Sequence, residues 1–416
     1  MGKSLGTDFT SAGSASITNL TSLEKLVVWD THPVQYRGPL YSVLSAETGG
    51  YLKVIYESNY SLHGYHDAQF DREITWDTPL LDGYSSEVLL PINGPAAVVF
   101  FARFYGALRT LMQARPKTCL HVHPHTPATA GAYCAAALLG IPQWLRVETQ
   151  DKAFERHPWK ETLRSLVWTI VYSPLARAFY IGELNRRHLL DHGFRPAQLR
   201  PARYGVVDGV RRWSTERKQA ERRRLRQELA IPADALVVGF CGKFIPKKDP
   251  ALLLEAYQQI AASIPRACHI LYIGSGELEN DLRARASALG DRVHFTGFIN
   301  QQALPAYYLA MDVFVLPSRR QGETWGLVVN EALHAGCAVA MSAAVGCAAD
   351  FGRWSRCRVF SPGDDGACAE AIIALAGFER DFDWCGDRLD GYSLERAAQA
   401  IAAEFRAALA DNGTVV

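Results

Sequence analysis

The sequence holds no Cys-x-x-Cys pair, no run of 18 uninterrupted apolar residues and no complete Gly-x-Gly-x-x-Gly. The first absence argues against a zinc ribbon or a dithiol redox centre. The second argues against a membrane-spanning helix. The third argues against a nicotinamide oxidoreductase, which needs that pattern after a first strand. Excess charge is missing as well: the formal net charge is +1, so no global field draws the chain to nucleic acid. Nine cysteines (119, 134, 241, 268, 337, 347, 357, 368 and 385) are odd in number and scattered. We expect reduced thiols packed as small core residues of a cytosolic protein. Residues 1–22 are rich in Ser, Thr and Gly, lack the apolar stretch of a signal peptide, and read as a flexible tail. The Met-Gly-Lys-Ser start has no upstream Gly-x4 for a phosphate loop, and glycine at position 6 breaks the myristoylation pattern.

What is present is a balance of 48% hydrophobic and 21% charged residues in 416, too long for one ordinary core. Strand and helix signals alternate. Strands are expected at 25–30, 51–57, 119–123, 142–148, 176–182 and 199–205, with helices from about Pro39 and over 97–114 and 127–139. Residues 211–226 then carry eight Arg or Lys against two Glu, which reads as a linker and a solvated helix, or a patch for anionic lipid. A second series follows at 235–242, 268–274, 293–297, 313–318 and 337–342. These runs are apolar throughout and end in small or polar residues, as buried parallel strands do. A helix over 393–410 begins at Ser393, a good N-cap. The pattern predicts an α/β protein of two doubly wound domains with a cleft between them. We place the boundaries at 23–209 for the first domain, 210–232 for linker and basic helix, 233–385 for the second domain and 386–416 for the terminal helix. Ligands of such sheets bind beyond the carboxyl ends of the strands, so the loops there should hold the chemistry.

In the second domain, Gly242-Lys243 through Lys248 follows the first strand. Two ammonium groups across a Pro-containing turn suit a diphosphate. Gly274 and Gly276 follow the second strand and admit close approach of a ligand to backbone. Phe298, after the third, either lies against a nucleobase or packs in the core. Residues 323–331 read Glu-Thr-Trp-Gly-Leu-Val-Val-Asn-Glu, with a helix starting near the middle. The backbone N–H groups of Trp325, Gly326 and Leu327 at that helix start favour an anion. A carboxylate beside them is suited to accepting hydroxyl hydrogen bonds, two at a time from a vicinal diol. We therefore expect Glu331 to grip a ribose and Glu323 the sugar to be transferred. The other reading of Glu323 is a residue that complements the helix dipole.

Taken in order, KFIPKK, GSGELE, FTGFI, VLPS, ETWGLVVNE, ALHAG and SAAVGCAAD resemble the C-terminal half of family 4 retaining glycosyltransferases of the GT-B fold, over about 235–350. The resemblance implies a nucleotide-diphosphate sugar, UDP- or GDP-linked, as donor and no metal or other cofactor. It implies that Lys243 and Lys248 contact the diphosphate, Glu323 the donor sugar and Glu331 the ribose, and that the terminal helix crosses back to the first domain. Lys243 stands where many members have Arg, and His334 where a small or apolar residue is common.

In the first domain, residues 31–40 resemble the loop of members that build bacterial surface polysaccharides. His32, Gln35 and Arg37 are polar groups of that loop, and Gly38 admits close backbone approach. His121, His123 and His125 alternate, but Pro124 ends the alternation and no further ligand stands at metal spacing. His123 and His125 are candidates for lining the cleft. Glu148 occupies a position where the family often has His. It either stabilises positive charge on the reacting sugar or holds a sugar hydroxyl. Arg146 is a second anchor for phosphate or acceptor, and Asp208 reads as a hinge and cap. The expected function is retaining transfer of a sugar, with Glu148, Glu323 and His32 as the reacting groups, to a glycan or lipid-linked acceptor. The setting is cytoplasmic, with the apolar segments 97–114 and 163–182 either buried or resting on the inner face of a membrane. Two alternatives stay open: a nucleotide-sugar epimerase of the same fold, and a catalytically silent partner subunit.

Overall fold

The computed structural model describes residues 26–62, 64–67, 70, 72–89, 96–123 and 126–410 of the chain.

 The 1–22 tail and His125 lie outside the described residues.

The first domain runs β1 (Leu26–Asp30), α1 (Gly38–Glu47), β2 (Leu52–Tyr56), β3 (Tyr65–Asp67), β4 (Arg72–Ile74) and β5 (Ser85–Val88). It continues with α2 (Ala96–Ala114), β6 (Thr118–His121), α3 (Pro127–Leu139), β7 (Gln143–Leu145) and α4 (Pro158–Tyr172). It ends with β8 (Arg177–Tyr180), α5 (Glu183–Asp191) and β9 (Leu199–Pro201). After α6 (Thr215–Glu228), the second domain has β10 (Leu236–Cys241), α7 (Ala251–Ser263), β11 (Cys268–Ile273), α8 (Glu279–Ala286) and β12 (Val293–Phe295). Then come α9 (Leu304–Ala310), β13 (Val313–Leu316), α10 (Leu327–His334), β14 (Ala338–Ser342), α11 (Ala348–Phe351), β15 (Cys357–Phe360) and α12 (Asp365–Ala376). The last helix is α13 (Leu394–Ala410).

The seven-stranded sheet has the order β5-β2-β1-β6-β7-β8-β9, and the six-stranded sheet β12-β11-β10-β13-β14-β15, with parallel neighbours throughout. Strands β1, β2, β10 and β11 are buried along their whole length, because helices cover both faces; this is why they read as unbroken apolar runs. In each sheet the chain leaves the first strand toward one side and returns on the other, between β1 and β6 and between β10 and β13. The loops after β1 and β10 therefore open at the two topological switch points.

The terminal helix α13 packs its apolar face (Leu394, Ala398, Ile401 and Phe405) into the first domain's core. Ser393 caps it, its hydroxyl accepting from the Arg396 amide at 3.2 Å. Glu404 receives both Arg177 and Arg200. Helix α6 is solvated along much of its length, Arg217, Arg223 and Arg224 included, but one face is not. Lys218 is 1% exposed and pairs with Asp383 at 2.7 Å. Arg222 and Arg226 both reach Asp312, at 2.5 and 2.9 Å, and that carboxylate also accepts from the Val237 amide. The basic residues of one helix face are thus internal anchors onto the second sheet. Among the described residues, no helix is long and apolar enough to cross a membrane. Eight of the nine cysteines are buried, and all are free thiols.

Candidate functional site

A cavity of about 370 Å³ lies between the two domains, at the switch-point loops. Its floor is backbone. Gly242 and Gly274 end β10 and β11 with φ of +150° and +132°, and a β-carbon on Gly274 would lie 2.0 Å from the Gly242 carbonyl oxygen. Only glycine lets these two strand ends touch. Gly276, with φ of +152°, belongs to the same turn but not to the lining.

Three lysines follow from the loop after β10. Lys243 pairs with Asp67 of the first domain at 3.0 Å. Lys248 pairs with Glu323 at 2.5 Å. Lys247, between them in sequence, donates to the Gly322 carbonyl at 2.7 Å, and burial lowers its ammonium from the ordinary lysine value. We did not single out Lys247 in the sequence, although the run Lys-Lys at 247–248 displays it.

Glu323 is 6% exposed. Burial alone would push its carboxyl up, but Lys248 and Lys247, with the Ser318 hydroxyl at 3.1 Å, hold it below the usual range. It is an anion at neutral pH. Its loop is gripped by the first domain: the Gly322 amide donates to the Ala153 carbonyl at 2.8 Å, and Gln150 Nε2 to the Glu323 carbonyl at 3.3 Å. Gly326, with φ of +98°, turns the chain into α10, and Leu327 begins the helix. The Trp325 side chain points away into the core, its indole N–H donating to Asn330 at 2.9 Å. Glu331 sits on the second turn of α10 and faces the cavity. Burial raises its carboxyl to about 7, partly opposed by the Tyr308 hydroxyl, which donates to it at 2.7 Å. The two glutamates are therefore chemically different: one is a fixed anion, the other titrates near neutrality. Phe298 lines the same cavity.

The first domain supplies Gln35 and Glu148 to the cavity wall. Glu148 accepts from the Tyr204 hydroxyl, stands 3.7 Å from Arg37 Nη1, and meets Thr324 of the second domain at 3.4 Å. Other expected residues lie behind that wall. Arg37 is 3% exposed and pairs with Asp30 at 2.7 Å, so it buttresses the loop. Gly38 admits a close approach of the chain's own backbone: a β-carbon there would lie 2.6 Å from the Leu80 carbonyl oxygen. Arg146 is buried, stacks over the Tyr204 ring and donates to the Ala202 carbonyl at 3.2 Å. It orients the tyrosine that holds Glu148.

The histidines form a separate group. His32 contacts the Thr31 hydroxyl and the Tyr60 hydroxyl, each at 3.0 Å, and burial together with Arg37 lowers its ring to about 4. It is neutral at physiological pH. His123 stands 3.6 Å from Asp30, whereas His121 is fully buried against Gln143. Asp208 accepts from the Arg211 amide at 2.7 Å and caps the turn that leads into the second domain.

Among the described residues, Asp151, His188 and His192 bring potential metal ligands within 4.8 Å of one another, outside the cavity lining. The His188 Nδ1 lies 2.9 Å from Asp151, a direct hydrogen bond that leaves no room for an ion. Arg164 already neutralises the same carboxylate, and Tyr172 holds the other His188 nitrogen. The cluster is a closed hydrogen-bond network.

Residues 235–377 match the model of the family glycosyl transferases group 1. A D-inositol 3-phosphate glycosyltransferase of Geodermatophilus obscurus is 32% identical over 235 residues, covering 53% of this chain and 50% of that protein. A 2-deoxystreptamine glucosyltransferase of Streptomyces kanamyceticus is 29% identical over 170 residues, 40% of this chain and 43% of that protein. The chain thus spans about half the length, or less, of these curated relatives. Similarity of structure extends much further. Anabaena Alr3699/HepE, solved in complex with UDP and glucose, superposes with a TM-score of 0.60 at 17% identity over 92% of this chain and 95% of its own. The α,α-trehalose 6-phosphate synthase of Burkholderia multivorans gives 0.66 at 12% identity, over 94% and 98%. The match to the glycosyl transferases group 1 family thus lies in residues 235–377, and the chain as a whole has the GT-B architecture.

Proposed function

We propose that this chain is a retaining glycosyltransferase that moves a sugar from a nucleotide-diphosphate sugar to a hydroxyl of a glycan or lipid-linked acceptor. One observation carries the reading: lysines 243, 247 and 248 and the carboxylates of Glu323 and Glu331 line a single interdomain cavity. Lysines opposite a diphosphate stabilise the charge that develops on the leaving group, without a metal. Glu331, when ionised, accepts from both hydroxyls of a ribose, and Glu323 from the hydroxyls of the donor sugar. Glu148, held by Tyr204, faces the reacting sugar from the other domain and steadies positive charge there. The departing phosphate takes the acceptor proton as the new bond forms on the same face. His32 and His123 border the acceptor side. The UDP and glucose bound to the Anabaena protein support a nucleotide-sugar donor.

A lipid-linked acceptor is favoured by helix α4, which leaves Trp159, Leu163, Leu166, Val167 and Ile170 exposed along one face. Lys160 lies beside Trp159, a combination suited to an anionic membrane surface at the cytoplasmic side. The test is incubation of labelled UDP- and GDP-sugars with glycan and lipid-extract acceptors, followed by NMR of the product anomer. Transfer with retained configuration is expected. An inverted product, or an epimer formed without acceptor, would overturn the proposal.

A further inference from the structure

Strands β3 and β4 form a short antiparallel hairpin outside the first domain's main sheet. The segment crosses to the second domain. The Ser275 hydroxyl donates to the Phe70 carbonyl at 3.0 Å, Asn300 Nδ2 to the Thr75 carbonyl at 2.8 Å, and the Gln302 amide to the Asp77 carboxylate at 3.2 Å. These bonds set two aromatic rings in the wall of the interdomain cavity, Phe70 and Trp76. Phe70 meets Phe298 edge-on at 5.2 Å between centroids, and Trp76 meets it at 6.3 Å. At the end of β3, the Asp67 carboxylate accepts from Lys243 Nζ at 3.0 and 3.1 Å.

We infer that this hairpin completes the donor site: Phe70 and Trp76 join Phe298 as an aromatic cradle for the nucleobase, and Asp67 holds Lys243 until the diphosphate replaces it. The inference rests on the nucleotide-sugar reading. Three flat polarisable rings gathered in one cavity wall fit a planar heterocycle better than a sugar, whose several hydroxyls two phenyl rings and a single indole N–H leave largely unmatched. The cradle opens beside Lys243, whose Nζ is 4.8 Å from the Phe70 centroid, so a base on the rings brings its phosphates to the lysines. There Asp67 is a tethered anion on the cation that the donor needs. A diphosphate carries more charge and more acceptor oxygens than one carboxylate, and displaces it. Since Asp67 and Lys243 belong to different domains, exchange of partners at Lys243 also changes what ties the hairpin to the donor domain.

The experiment is calorimetric titration of the full chain with UDP, GDP, uridine and guanosine. Asp67→Asn should tighten the preferred nucleoside diphosphate about five- to tenfold and leave its nucleoside unchanged, because only phosphates compete for Lys243. Phe70→Leu and Trp76→Leu, which keep apolar bulk, should weaken nucleoside and diphosphate alike by roughly tenfold each. A diphosphate affinity that falls or stays constant in Asp67→Asn would overturn the competition. Unchanged nucleoside binding in both leucine variants would overturn the cradle. Failure of the folded native chain to bind any of the four would instead remove the nucleotide-sugar reading, and the cradle with it.

Discussion

Replacing Glu331 with glutamine should make the protein more stable at pH 8 while making it a poorer binder. The carboxyl is raised from 4.5 to about 7 by burial, with the Tyr308 hydroxyl opposing. Below pH 4.5 it is protonated in both folded and unfolded chains and contributes nothing. As pH rises through the interval, the unfolded chain releases the proton and the folded chain keeps it, so stability falls. Above about pH 7 the full penalty is present. That difference corresponds to about 3 kcal/mol, and water in the cavity reduces it to on the order of 2 kcal/mol. Glutamine carries no charge and still accepts from Tyr308. Thermal unfolding of native and variant protein should therefore diverge by several degrees at pH 8 and by much less at pH 5. Titration with UDP and GDP should show the cost: an amide offers one acceptor oxygen to the ribose diol where the carboxylate offers two, and affinity falls about tenfold. A variant that is less stable at pH 8, or equally stabilised at both pH values, would refute the account of this carboxyl.

Three further outcomes are expected. Lys248→Ala strips Glu323 of its 2.5 Å partner; it should lower stability by about 1–3 kcal/mol in urea unfolding and reduce transfer far more than it reduces folded yield. Asp312→Ala leaves Arg222 and Arg226 buried without their counter-ion and should cost about 3–5 kcal/mol, read as an earlier urea midpoint. The pair Trp159→Glu and Leu163→Glu alters two exposed side chains of α4 and should abolish co-sedimentation with anionic vesicles while leaving nucleotide affinity unchanged.

The doubly wound architecture was legible because its central strands are apolar on both faces, and the donor loops because glycines and lysines stand directly after β10 and β11. The spacing of Glu323 and Glu331 put both at the cavity, one at the loop and one on the helix. It could not reveal that the two would titrate so differently, since Lys247, Lys248 and Tyr308 converge on them from other elements. Part of the role of α6 was hidden for the same reason: Arg222 and Arg226 look solvated until Asp312, far along the chain, is folded beneath them. Arg37 and Arg146 read as ligand anchors, yet they are buried against Asp30 and Tyr204. The β3–β4 hairpin escaped notice because its strands are short and largely exposed, with no apolar alternation to mark them. Strand β15, also short, buries Cys357 and Phe360 at its ends with Arg358 and Val359 more exposed between them, and gave no continuous run.

The most direct test of the central claim is calorimetric titration of UDP, GDP and ADP into the native chain at pH 8, beside Glu331→Ala shown to be folded. The account predicts preferential binding of one nucleotide, weakened at least about tenfold by the substitution. No binding by any of them to the folded native chain, or equal binding to the variant, would contradict it.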